Sequence, residues 1–144
     1  MPLPVAHALL VSPPSPCAGN VPALVVETSS GSKVLLNQGA ATLQFIADNA
    51  PKKIIPAAGT IERYQLQNLL NFLSSEFHST HGPLFGPADE ETKQKQREKV
   101  VAKAAALFKA NAPAPFLMGA EPNVADFYAY VITTWAGYVG VDCS

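Results

Sequence analysis

The chain has 144 residues, of which 48% are hydrophobic and 15% charged, and its net charge is −1. This composition suits one compact domain or two small packed lobes, and it is too apolar for a disordered chain. The near-neutral charge argues against binding to nucleic acid or to an anionic membrane surface, and no apolar run is long enough to span a bilayer. Cys17 and Cys143 lie near opposite ends without disulfide or metal-ligand spacing, so we expect no metal site and a cytoplasmic location.

The first fifty residues predict three short strands and one helix. Strands are predicted over three apolar segments, 5–11, 21–27 and 33–36. A loop rich in Pro, Ser and Gly separates the first two strands, and the glycine-containing segment 28–32 has a normal length for a hairpin turn between the second and third. The apolar period then changes and predicts a helix over 39–49, which ends before Pro51.

The rest of the chain predicts helices only. After the connector 51–59, helical periods run over three segments, 60–81, 89–111 and 124–138. Strands with one helix followed by three helices indicate an α+β lobe and then an all-helical lobe. We therefore expect a first lobe over 1–50, a linker over 51–59 and a helical lobe over 60–144.

Apolar stripes predict which sides of these helices face the core. The first long helix carries its stripe at Leu66, Leu69, Leu70, Leu73 and Phe77, and the second at Val100, Ala104, Leu107 and Phe108. The expected apolar side of the last helix comprises Val124, Phe127, Tyr128, Val131, Trp135 and Tyr138. Just before that helix, Asn123 and Asp126 have the spacing of a capping box, a structural device worth about 1 kcal/mol.

Seven short segments carry a family resemblance. They are NVPAL at 20–24, LNQG at 36–39, ATLQFIAD at 41–48, ERY at 62–64, LNF at 70–72, SSEFH at 74–78 and NVAD at 123–126. In this order the chain resembles the glutathione S-transferase superfamily, in its bacterial, beta-class-like form, from about residue 20 to the C-terminus. The resemblance implies an α+β fold: a partial thioredoxin-like lobe of about three antiparallel strands plus one helix, followed by the all-α C-terminal lobe of these enzymes.

The resemblance also implies where the first lobe would hold glutathione. In the family, a cis bond between the residues matching Val21 and Pro22 turns the backbone outward, so that Val21 pairs with the peptide ligand like an added strand. Gln38 and Gly39 stand at a strand-to-helix junction, where free N–H groups attract the γ-glutamyl end. The alternatives are an ordinary strand start at Val21 and a helix cap without a ligand at Gln38.

A polar stripe on the first long helix is the third candidate part of the site. Asn71, Ser75 and His78 are spaced four and three residues apart and therefore share one side of the helix. The resemblance places Asn71 and Ser75 at the γ-glutamyl group and His78 near the thiol, whereas the alternative is a solvated polar face. His81 has no such match, and we expect it at the surface or at the helix end.

The chain also departs from the family pattern. The resemblance implies truncation at both ends: the first helix and second strand of the thioredoxin-like lobe are missing, with the residue that activates the thiol, and so are two C-terminal helices. If 5–11 is the first strand, it pairs directly with the strand beginning near Val21 and brings Cys17 close to Pro22. Cys17 is then either a substitute thiol-handling residue or an idle loop cysteine.

Three functions remain open at this point. The resemblance implies an enzyme, with glutathione as co-substrate, a small electrophile as second substrate, and a role in secondary metabolism or detoxification. In that enzyme His78 and Cys17 are the candidate catalytic residues. The alternative is a non-catalytic glutathione transferase-like interaction module, and a third interpretation is a product of gene truncation or of a misassigned gene start. We expect a homodimer, because dimers are the family habit and the missing strand leaves an exposed sheet edge.

Overall fold

The computed structural model of the protein describes residues 5–8 and 22–141. Its contacts divide the chain into two compact units, Met1–Lys53 and Ile54–Ser144. Each unit is considered by itself below. Among the described residues, the search for a helix with the length and apolarity of a membrane span finds none.

The first unit contains a three-stranded antiparallel sheet in the order β1-β2-β3. The strands are β1 (Val5–Ala8), β2 (Leu24–Glu27) and β3 (Lys33–Leu36). Val5 pairs with Glu27 and Leu24 pairs with Leu36, so both connections reverse the chain direction. The predicted pairing of the first strand with the second is therefore confirmed, and the second strand begins at Leu24, later than expected.

The β2–β3 turn and the helix that follows complete this unit. Thr28 N–H donates to Ser32 O at 2.8 Å, and Gly31 adopts a φ of 79°, which costs glycine little because it lacks a Cβ. Leu24 and Val26 alternate on β2 as its buried residues. Helix α1 (Gly39–Asp48) buries Thr42 and Ala47, and the Thr42 hydroxyl donates to Leu36 O at the end of β3.

The second unit begins its helices with one long element that changes pitch. Helix α2 (Ile61–Phe72) is capped by Thr60, whose hydroxyl accepts from Arg63 N–H. It continues into a π-helical turn (Leu73–His78), the wider i→i+5 form, and then into α3 (Ser79–His81). Leu66, Leu70, Leu73 and Phe77 are fully buried, so four members of the predicted stripe form the core of this unit, whereas Leu69 is only partly buried.

Helix α4 (Glu90–Asn111) follows a 3₁₀ turn (Gly82–Phe85) and packs against the π-helical turn and α3. Its side chains Gln96 and Lys103 reach that element: Gln96 Nε2 donates to Thr80 O at 2.7 Å, and Lys103 pairs with Glu76 at 2.9 Å. Val100, Ala104 and Leu107 are buried as predicted, but Phe108 is half exposed. The predicted stripe was therefore wrong at its last member.

The last helix, α5 (Val124–Thr134), turns a different side to the core than expected. Its buried residues are Val124, Ala125, Ala129 and Ile132, followed by Ala136 in the closing 3₁₀ turn (Ala136–Val139). Three members of the predicted apolar side, Phe127, Val131 and Tyr138, are exposed instead. Apolar residues occur all around α5, so periodicity did not select a side. The side with two alanines is the one buried in the structure.

Candidate functional site

The start of α1 presents backbone N–H groups that no carbonyl of the helix itself accepts. Gln38 is the N-cap residue, with extended backbone (φ −109°, ψ 123°), and its side chain makes no capping hydrogen bond. The first intrahelical bond runs from Thr42 N–H to Gln38 O at 2.9 Å, so the N–H groups of residues 39–41 have no acceptor inside the helix. No acidic residue lies in this first turn. The positive end of the helix dipole and the free N–H groups suit a carboxylate ligand.

The polar stripe of the second unit spans the end of α2 and the π-helical turn. Asn71 and Ser75 are both exposed. The Ser75 hydroxyl donates to Asn71 O at 2.8 Å, and the Ser74 hydroxyl donates to the same carbonyl at 3.1 Å. Because the Ser75 hydroxyl donates its proton to a backbone carbonyl, its oxygen can still accept a hydrogen bond, as an ammonium ligand would require.

His78 occupies the last position of the π-helical turn and is half buried. Its Nδ1 lies 2.9 Å from the Tyr128 hydroxyl on α5. The imidazole also makes an edge-to-face contact with Trp135, with ring centroids 4.8 Å apart. Burial lowers the pKa of His78, and the nearby His81 lowers it further. His78 is therefore mainly neutral at pH 7, with one ring nitrogen carrying a proton.

His81 lies at the end of α3, as one alternative foresaw, but it is fully buried and not at the surface. Its ring packs edge-on against Phe77 and Trp135. Nδ1 lies 2.9 Å from Phe77 O, the carbonyl one helical turn back, to which it donates. Among the described residues, Nε2 has no hydrogen-bond partner. The surface expectation was wrong because the rings of Phe77 and Trp135 pack against this side chain.

Two of the expected site residues fall outside the part of the chain that the structure describes. These are Cys17 and Val21, and with Val21 the expected cis bond to Pro22. Pro22 itself is exposed, two residues before β2. Across residues 5–8 and 22–141, no cluster of His, Cys, Asp or Glu forms a metal site.

The structure thus arranges the expected residues in two groups. Gln38 and Gly39 adjoin each other at the start of α1 in the first unit. Asn71, Ser75 and His78 follow one another along a single helical element in the second. Sequence reasoning missed Tyr128 as the hydrogen-bond partner of His78. A signal existed, since Tyr128 and Trp135 are seven residues apart and so share one side of a helix.

An open groove elsewhere in the second unit contains none of these residues. It is lined by Gln94, Arg97, Glu98, Val101, Ala102, Gly140 and Val141. Arg97 is its central cation, but its guanidinium is already engaged. Nε donates to Val139 O at 2.9 Å, and Nη1 pairs with Glu90 at 2.6 Å. The groove therefore offers a ligand little unpaired charge.

Known proteins with this fold and these motifs are glutathione S-transferases. The chain is 30% identical over 120 residues to the glutathione S-transferase GstA of Escherichia coli O157:H7. The aligned segment covers 82% of this chain and 58% of the relative. A sphingomonad glutathione S-transferase, solved in complex with glutathione, has 40% sequence identity to this chain and a TM-score of 0.72. The match covers 83% of this chain and 59% of that one. A bacterial beta class enzyme from Sphingomonas chungbukensis is 36% identical with a TM-score of 0.71, at 83% and 59% coverage. No family model matches the sequence.

These similarities confirm the predicted resemblance to glutathione S-transferases, including bacterial beta-class members, over most of the chain. They also confirm the fold class, a partial thioredoxin-like lobe with an all-α glutathione transferase lobe. The proteins it resembles are transferases. The chain spans 58% to 59% of the length of these three relatives.

Proposed function

We propose that the protein binds glutathione and transfers it to a small electrophile. The observation that carries this proposal is the polar stripe of Asn71, Ser75 and His78, which lies on one side of a single helical element in a chain with the glutathione transferase fold. A solved relative with the same fold is complexed with glutathione, which supports the choice of thiol.

The γ-glutamyl end of glutathione carries a carboxylate and an ammonium, and these two groups require different partners. The γ-glutamyl carboxylate suits the free N–H groups at the start of α1, beside Gln38 and Gly39. In the second unit, taken by itself, the Ser75 hydroxyl and the Asn71 side-chain carbonyl are oxygen acceptors, the type of group that the γ-glutamyl ammonium requires. We assign the peptide backbone of the ligand to Val21, next to Pro22, by strand-like pairing.

The chemical step requires a thiolate. A free thiol has a pKa of about 8.5, so most of it is protonated at neutral pH. The neutral His78 ring donates one N–H, and a hydrogen bond to the charged sulfur lowers the thiol pKa. The thiolate sulfur then attacks the electrophilic carbon, a C–S bond forms, and the leaving group departs with its electron pair while the thiol proton passes to solvent. Cys17 remains the second candidate catalytic residue, as a substitute for the missing residue that activates the ligand thiol.

A non-catalytic interaction module is the second candidate function. It is favoured by the exposed side of α5 and the turn after it, where Phe127, Tyr130, Val131 and Tyr138 leave a large part of their side chains in solvent. Contiguous exposed apolar surface often marks a binding surface. The homodimer, the cytoplasmic location and the metabolic or detoxifying role expected from the sequence belong to the proposal as well. Sedimentation equilibrium of the purified protein measures the first of these directly.

Isothermal titration with glutathione tests the proposed ligand. Binding in the millimolar range or tighter is expected, and Asn71→Ala should weaken it about tenfold, the value of one hydrogen bond to a charged group. Gln65→Ala is the matched control, because Gln65 is also exposed on α2 but lies about 120° around the helix from Asn71. Absence of heat together with absence of thermal stabilisation at high glutathione would refute the proposal and favour the interaction module.

S-methylglutathione separates binding from thiol chemistry. It retains the γ-glutamyl group but cannot form a thiolate, so the roles assigned to Asn71 and Ser75 predict that it binds, with affinity still sensitive to Asn71→Ala. The only tryptophan, Trp135, touches the His78 ring, so its fluorescence provides an independent binding signal.

A further inference from the structure

The bond between Tyr128 and His78 joins two elements that are distant in sequence. Tyr128 lies in the second turn of α5, and His78 closes the π-helical turn, fifty residues earlier. The Tyr128 hydroxyl and His78 Nδ1 are 2.9 Å apart, the distance of a good hydrogen bond. The capping box of Asn123 and Asp126 fixes the start of α5, so the hydroxyl is presented from an anchored helix.

The imidazole of His78 is restrained on more than one side. Trp135 packs edge-to-face against it at 4.8 Å, and the Tyr128 ring does so at 6.0 Å. His81 contacts the same Trp135 ring and is the other titratable group near His78. With Nδ1 occupied by Tyr128, Nε2 is the ring nitrogen left to bind a ligand.

The direction of this hydrogen bond decides what Nε2 can do. Burial raises the pKa of Tyr128, so its hydroxyl keeps its proton at neutral pH. A neutral imidazole carries one proton, and the partner of one nitrogen selects which nitrogen holds it. If the hydroxyl donates to Nδ1, the proton of the ring resides on Nε2, which becomes a donor. A donor is what a thiolate requires, whereas an unprotonated Nε2 would repel it.

We propose that Tyr128 is a positioning residue for His78: its hydroxyl donates to Nδ1 and so keeps Nε2 protonated and ready to donate to a ligand thiolate. The identity of that ligand rests on the proposed glutathione transferase function. The effect of Tyr128 on the tautomer of His78 does not depend on that function. The tautomer and the interaction with the thiolate therefore have separate tests.

The first test uses the ligand-free protein. The ¹⁵N chemical shifts of histidine ring nitrogens separate protonated from unprotonated nitrogen, and the chain has only three histidines, so a His78→Asn spectrum assigns the resonances. We expect Nε2 of His78 to be the protonated nitrogen in the wild-type protein at neutral pH. Tyr128→Phe keeps the ring but removes the hydroxyl, and it should shift the two resonances toward a mixture of tautomers. Tyr130→Phe, which removes an exposed hydroxyl from the same helix, should leave them unchanged.

Two results would overturn the positioning role at this stage. One is a wild-type His78 protonated on Nδ1. The other is a Tyr128→Phe spectrum in which the His78 resonances do not move while thermal unfolding shows a folded protein. Neither result depends on glutathione.

The second test adds glutathione and an electrophile with a chromophoric leaving group. In Tyr128→Phe, thiolate absorbance of the bound ligand should develop at higher pH than in the wild type. Turnover at neutral pH should fall by no more than about tenfold, because the charge-assisted bond to the thiolate then forms only in the fraction of rings protonated on Nε2, and KM for glutathione should be unchanged. Unchanged turnover and thiolate titration in Tyr128→Phe, or the same losses in Tyr130→Phe, would overturn the role. Failure of the wild-type protein to bind glutathione would refute the proposed function, and the tautomer measurement would still decide the positioning of His78.

Discussion

Replacement of Asp126 by alanine should destabilise the second unit more than any other substitution in the α5 cap. One carboxylate oxygen accepts from Asn123 N–H at 2.8 Å and closes the capping box. The other accepts from Leu117 N–H at 2.7 Å and anchors the loop before α5. Both bonds are short and charge-assisted, and both leave a part-buried backbone N–H without an acceptor when the carboxylate is removed.

The magnitude follows from these two bonds. At about 1 to 1.5 kcal/mol each, Asp126→Ala should lower the free energy of unfolding by about 2 to 3 kcal/mol. A domain of this size has a total stability of roughly 5 to 15 kcal/mol, so the loss is a large fraction of it. Asp126→Asn keeps one acceptor oxygen and should lose about half as much. Asn123→Ala removes the side-chain cap of α5, including the bond from Ala125 N–H at 2.9 Å, and should cost about 1 kcal/mol.

Urea unfolding followed by circular dichroism measures these differences. The double variant Asn123→Ala with Asp126→Ala should lose less than the sum of the single losses, because both residues serve one capping box. The reasoning is refuted if Asp126→Ala changes the unfolding free energy by less than about 0.5 kcal/mol while the denaturant slope stays the same.

Three further predictions concern the bond of Arg97 to the C-terminal turn, the pH dependence of stability, and the fluorescence of Trp135. Arg97→Ala should lower stability by about 1 to 2 kcal/mol in urea unfolding, since it breaks the bond to Val139 O, whereas Lys95→Ala breaks only an exposed ion pair and should cost less than about 0.5 kcal/mol. The pKa of His78 in the folded protein is below 6.5, its value in the unfolded chain. Around and below pH 6.5 the unfolded chain therefore binds more protons at His78 than the folded protein does. Stability should therefore fall as pH falls from 7 to 5, and His78→Asn should reduce the fall; an equal slope in both proteins contradicts this. Over the same range, quenching of Trp135 fluorescence by the charged imidazole should appear at acid pH in the wild type and diminish in His78→Asn, and equal quenching in both proteins would contradict this.

Much of the fold was determined by local patterns that a sequence displays directly. The hairpin turn at 28–32, the leucine stripe of α2 and the capping residues Asn123 and Asp126 all appear where they were expected. Each depends on residues a few positions apart, whose spacing matches the period of a strand or helix. The order of strands and helices likewise predicted an α+β lobe followed by a helical lobe.

The packing partners of the candidate site were decided only in the tertiary structure. Apolar residues surround α5, so its sequence allowed either side to be buried, and packing against α2 and the π-helical turn placed Ala125, Ala129 and Ile132 inside. That choice directs Tyr128 to His78 across fifty residues and brings Trp135 against both histidines. Local periodicity carries no information about such a contact, because it depends on how two helices cross and which side chains then meet.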